Sequence, residues 1–329
     1  IILGYLLGLG LLGLSIKLRA KYENFSAVLV SGSMTIFYFL TYAAYSYYEL
    51  IPQVLTFILM VIFTIFTVLA ALQYNKQIIA HIGLVGAYAV PFLLSEDSGN
   101  TLVLFSYMAI INIGILVLSF KKYWKPLYYV AFVLTWLIYF SWFEYSYQKN
   151  EDFATALTFA SLFFIIFYTT FLAYKLLRKE AFETLDIILL LLNSFVFYGF
   201  GYAILDDHET GSQLLGFFTL CNAMLHFIVS VIIYRLKLAD KNLFYLVAGL
   251  VLVFITIAIP VQLDGNWVTL LWVGEAVLLF WIGRTKNISV YEYLSYPLMA
   301  LSTFSLYQDW TNVYVAFNQF DGFKTFTPV

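Results

Sequence analysis

Charge is what this sequence lacks most. Only 11% of its 329 residues are Asp, Glu, Lys or Arg, under half of the roughly 25% usual in soluble domains. A chain so poor in charge cannot cover a water-facing surface. Cysteine is scarcer still: Cys221 stands alone, so no disulfide can form within the chain and Cys-x-x-Cys chemistry has no residues. The three histidines form no His-x-x-x-His pair, and no Ser/His/Asp arrangement occurs. The sequence therefore points away from an enzyme and implies no metal and no cofactor. Long polar segments are missing too. "SEDSGN" (95–100), "DDHETGS" (206–212) and "PVQLDGN" (260–266) are turns, and the longest connection, "EYSYQKNED" (144–152), is little more. That excludes the sizeable acidic loop of a membrane glycosyltransferase and the strand-turn-helix setting of a phosphate-cradling loop.

What fills the chain instead is apolar: 63% hydrophobic and 20% aromatic, with 33 Phe and 27 Tyr. Apolar runs of about 20 residues, the length that crosses a bilayer as a helix, recur from end to end. Period-2 alternation, the mark of a membrane barrel, is absent. The reading is an all-α integral membrane protein of about 12 spans joined by short loops, one polytopic domain over 1–329 with no soluble domain. The approximate spans are 1–16, 25–46, 53–72, 78–94, 101–120, 126–143, 153–174, 187–205, 213–234, 242–260, 267–283 and 290–307. Starting on Ile1 inside a run, the chain reads as a piece of a longer protein, truncated at both ends. No basic segment precedes the first run, which argues against a signal peptide.

Lysine and arginine set the expected orientation. Lys17, Arg19, Lys21, Lys76, Lys121, Lys122, Lys125, Lys175, Arg178, Lys179, Arg235, Lys237, Lys241, Arg284 and Lys286 fall in one alternating set of loops. Of the 17 basic residues only Lys149 and Lys324 fall in the other. The expected location is a bacterial inner membrane, with the basic loops cytoplasmic and both chain ends at the outer face. No lysine or arginine is expected deep in a span. Basic residues dispersed along one boundary also give no footprint for nucleic acid.

"GLVGAYAVPFLLSEDSGNTLVLFSYMAIINIGILVLSFKKYW", from Gly83 to Trp124, carries a glycine-rich helix, a proline, a Ser/Gly/Asn turn and a basic-tryptophan exit. "AIPVQLDGNWVTLLWVGEAVLLFWIG" (258–283) carries proline, two tryptophans, Glu-Ala and Trp-x-Gly in succession. In both, the chain resembles a large bacterial family of polytopic predicted membrane proteins with a domain of unknown function, departing from it at Ala87, where another glycine is expected. The resemblance implies a longer full protein, with an N-terminal segment and further helices. It implies no activity.

Single residues supply the remaining candidates. Glu275, with Trp272 three residues before it, is a carboxylic acid near the middle of a span, where insertion costs about 2.5 to 3.5 kcal/mol. It is expected to point into the bundle toward a hydrogen-bond donor. Asn222 and His226, four apart, share a helix face and suit either a polar relay or an interhelical bond. Asn112 and Asn193 are isolated intramembrane amides. Gly83 and Gly86 clear one side of a helix that Pro91 kinks or ends, for close packing or for a broken-helix site. Gly4, Gly8, Gly10 and Gly13 form a small-residue stripe. "DDHE" (206–209) has the composition of a metal cluster, but a tight turn cannot converge four consecutive residues on one ion. Two function classes follow: a transporter- or translocase-like bundle handling a lipid-linked or small polar ligand near Glu275, or a non-catalytic scaffold for other envelope proteins. The expected partners are bilayer lipid, a lipid or glycolipid ligand, and other membrane proteins.

Overall fold

The computed structural model describes residues 1–94, 101–122, 124–149, 151–178, 182–236, 241–263, 266–287 and 289–317. Among them are twelve α-helices and no strand: α1 (Ile2–Leu18), α2 (Glu23–Ser46), α3 (Gln53–Tyr74), α4 (Gln77–Leu94), α5 (Thr101–Ser119), α6 (Lys125–Tyr145), α7 (Phe153–Arg178), α8 (Thr184–Asp206), α9 (Leu215–Leu236), α10 (Lys241–Gln262), α11 (Asn266–Lys286) and α12 (Ser289–Phe317). The boundaries have local causes. Pro126 occupies the first turn of α6, where its missing N–H is no loss. At the end of α3, Asn75 turns left-handed (φ 50°) and its N–H meets the Ala71 and Leu72 carbonyls.

The protein is an all-α membrane protein. Eight helices, α2, α3, α5, α6, α7, α8, α9 and α11, are long and apolar enough to cross a bilayer, while α1 and the apolar parts of α4 and α10 are shorter. Helix α12 reaches Phe317, well past the expected end at 307, but is not among the eight. Its Ser295, Ser302, Thr303, Ser305, Gln308 and Asp309 dilute the apolar run. Helices α7 and α11 also outrun their expected spans, so Lys175, Arg178, Arg284 and Lys286 belong to helix ends rather than loops.

The described chain divides into two units, Ile1–Phe197 and Tyr198–Val329, with the division inside α8. In the first, α1 packs on α2, α3 on α4 and α5 on α7, with α2 also reaching α3 and α4. Helices in lipid gain little from hydrophobicity and associate through close packing and hydrogen bonds. Both are visible at α1. A Cβ on Gly4 would lie 2.6 Å from Leu40 Cδ1 and one on Gly8 2.5 Å from Phe37 Cε1, whereas Gly10 and Gly13 face open space. The Gly8 carbonyl accepts Ser33 Oγ at 2.8 Å. Further along, Phe105 packs against Trp142 and Tyr139 at centroid distances of 4.9 and 5.3 Å. In the second unit α9 packs on α10, α11 on α12, and α10 also touches α11.

Candidate functional site

The site begins with a proline. In an α-helix the carbonyl of residue 256 accepts the N–H of residue 260, and α10 has Pro260 there, which has none. Trp272, on α11, fills the vacancy: its indole Nε1 donates to the Thr256 carbonyl at 3.0 Å. One turn further along α11 is Glu275, whose Oε1 accepts from Thr256 Oγ1 at 2.9 Å. Thr256 thus joins α10 to α11 twice, once through its backbone and once through its side chain. Ala276, Leu279 and Leu298 pack beside this junction, with Leu252 and Trp272 against them.

The junction is incompletely satisfied. Thr256 Oγ1 has one proton but two acceptors, Glu275 Oε1 and the Leu252 carbonyl, also at 2.9 Å, and serves only one at a time. Glu275 Oε2 is enclosed and has no hydrogen-bond partner among the described residues. Glu275 as a whole is half-buried, and Gly274 beside it is exposed, with nothing near the position of a Cβ.

The structure places the other candidates in separate junctions. Asn112 joins Tyr88 and Thr135 in a buried triad. Tyr88 Oη donates to Asn112 Oδ1 at 2.6 Å and lies 2.6 Å from Thr135 Oγ1, which Asn112 Nδ2 reaches at 3.0 Å. That triad ties α4, α5 and α6. Asn193 ties α6, α7 and α8: its Nδ2 donates to the Phe164 carbonyl at 3.0 Å and its Oδ1 accepts Trp136 Nε1 at 3.3 Å. Asn222 turns back on its own helix, donating to the Phe218 carbonyl at 2.9 Å. The buried His226 ring lies flat on Phe254 of α10, 5.4 Å between centroids.

Gly83 and Gly86 are points of helix contact. A Cβ on Gly83 would lie 2.8 Å from Thr67 Cγ2 of α3, and one on Gly86 2.9 Å from the Tyr38 ring of α2. Helix α4 continues through Pro91 to Leu94, so the proline does not end it. The Pro91 side chain and the "SEDSGN" turn lie outside the described residues. At "DDHE", His208 Nδ1 is 3.0 Å from Thr210 Oγ1, and no group of three His, Cys, Asp or Glu able to hold a metal occurs among the described residues.

One charged cluster lies where α7 ends and α8 begins. Lys175, read from sequence as a loop cation, is 1% exposed on α7 and pairs with the buried Asp186 of α8. Lys125 of α6 completes the group, 2.6 Å from Glu183 and 4.0 Å from Asp186. Asp186 also accepts the Glu183 backbone N–H at 3.0 Å, half of a capping box at the start of α8.

The family comparison agrees with the residues. A model described as predicted membrane protein (DUF2339) matches residues 1–317. The chain belongs to the DUF2339 family. Within the 258–283 stretch, Trp272 and Glu275 both bond to Thr256, four residues before Pro260. Neither a curated protein nor a solved structure matches the chain.

Proposed function

We propose that this DUF2339 protein is a transporter- or translocase-like bundle of the bacterial inner membrane that takes a lipid-linked or small polar ligand at Glu275. The observation that carries the reading is the enclosed, unpartnered Glu275 Oε2 near the middle of membrane-length α11. A buried polar atom without a partner costs about 1–3 kcal/mol, and an acid within a membrane span is a functional candidate by default. A ligand ammonium, hydroxyl or amide N–H donating to Oε2 removes that cost. Thr256 Oγ1, shared between two acceptors, is the second group such a ligand would re-orient. In this reading the basic loops are cytoplasmic and both ends of the chain lie at the outer face.

The scaffold reading rests on a different observation. The Thr256–Glu275 bond and the Trp272–Thr256 bond together hold α10 to α11, and a hydrogen bond that fixes helix register needs no ligand. Purification of the full-length protein in mild detergent separates the two, with retained small molecules and protein partners identified by mass spectrometry and thermal unfolding followed in parallel. The ligand reading expects an amphiphile retained by the wild type, lost from Glu275→Leu, and reduced in a Glu275→Gln variant that unfolds at the wild-type temperature. A wild type that carries stoichiometric protein partners and no small molecule, with Glu275→Gln unchanged in partners, overturns it in favour of the scaffold.

A further inference from the structure

The first unit contains a cavity of about 200 Å³ between α3, α4 and α5. Its walls are almost wholly apolar, and they run from core to surface. Ala87 and Leu84 are buried, while Ile65, Leu69 and Ile110 are more than half exposed. Exposed apolar side chains on membrane-length helices face lipid, so the cavity opens sideways into the bilayer. Gly114 stands at that opening with nothing near the position of a Cβ. The volume exceeds that of the roughly 150 Å³ apolar cavity known to accept benzene. Its apolar walls suit a segment of one hydrocarbon chain and offer a charged headgroup almost nothing to bond.

A polar atom marks the wall. Tyr107 lines the cavity and is 4% exposed, and its hydroxyl completes no hydrogen bond among the described residues. Thr64 Oγ1 lies beside it, but its proton goes to the Met60 carbonyl at 2.9 Å and Tyr38 Oη, 2.6 Å away, takes one of its two lone pairs. The Tyr107 ring is held against Phe57, 5.0 Å between centroids. A buried phenol beside an apolar cleft supplies one hydrogen-bond donor, and an occupant that carries an acceptor satisfies it.

We propose that this cleft binds a fatty-acyl chain that enters from the bilayer, with its ester, amide or acid carbonyl accepting a hydrogen bond from the Tyr107 hydroxyl. A bare hydrocarbon or isoprenoid chain would fill the volume and leave Tyr107 unsatisfied. The acyl chain does both. The site lies in the first unit and does not depend on the reading of Glu275.

The test is photolabelling of the full-length protein in lipid nanodiscs, with a diazirine-bearing fatty acid and a diazirine-bearing phosphatidylcholine in separate samples, read by peptide mapping. Labelling concentrated on α3 and α5 residues around Tyr107 is expected; the probe that labels more strongly identifies a free acid or a phospholipid chain as the source. Gly114→Phe, which closes the opening, is expected to lower it about tenfold while the unfolding temperature holds. Tyr107→Phe is expected to lower it about two- to tenfold, the fold-change of one hydrogen bond, and a saturated hydrocarbon of equal length, which carries no acceptor, to compete poorly. Labelling spread evenly over all lipid-facing helices, or unchanged in both variants, overturns the proposal. Competition by that hydrocarbon as strong as by the fatty acid overturns the carbonyl assignment and with it the proposed ligand class.

Discussion

Pro260 takes away the donor that Thr256 would meet in an unbroken helix, and Trp272 supplies another from the neighbouring helix. The two residues are therefore coupled, and the coupling is measurable. Trp272→Phe keeps the ring but orphans the Thr256 carbonyl, and is expected to lower stability in detergent by about 1–2 kcal/mol. Pro260→Ala returns an N–H to position 260, so the same Trp272→Phe change is expected to cost well under about 1 kcal/mol in that background. Equal costs in both backgrounds would show that the indole acts through packing alone. Glu275 was legible as a deep acid because one charge stands out in an apolar run. Thr256 was not, because a threonine near a proline carries no signal until the facing helix is known.

At the scale of the helix, charge and small residues locate the joints. Lys175 and Asp186 bind the end of α7 to the start of α8. Removing one member of a buried pair leaves the other uncompensated, typically at about 3–5 kcal/mol. Lys175→Met is expected near the lower end, because Lys125 is still 4.0 Å from Asp186. Lys175→Met with Asp186→Asn should recover a large part of that loss, read from thermal or denaturant unfolding. The glycines divide in the same way. Gly83→Ala forces a methyl to within 2.8 Å of Thr67 Cγ2 and is expected to destabilise by about 1–3 kcal/mol. Gly10→Ala meets open space and is expected to be neutral or to stabilise by up to about 1 kcal/mol through helix propensity. Sequence presented Gly4, Gly8, Gly10 and Gly13 as one stripe; only the neighbouring helix distinguishes contact from vacancy.

For the whole molecule, the loop charges predict sidedness. In a Cys221→Ser background, a cysteine at Lys76 or Lys286 is expected to react with a membrane-impermeant thiol reagent only after the cytoplasmic face is opened. One at Glu49 should react in intact cells. Reaction of Lys76→Cys in intact cells would invert or break the proposed topology. Composition, the length of the apolar runs and the placing of Lys and Arg determined the solvent, the helical class and the expected alternation of loops, because a chain with 11% charged residues has to place its apolar runs in lipid, and runs of about 20 residues satisfy their backbone groups there as helices. Tertiary structure decided which polar residues meet: Asn112 with Tyr88 and Thr135, Lys175 with Asp186, and Glu275 with Thr256. It also left Tyr107 facing an apolar cleft. The physical reason is that hydropathy is a property of each segment, whereas a hydrogen bond between helices depends on their rotation and register, which packing sets.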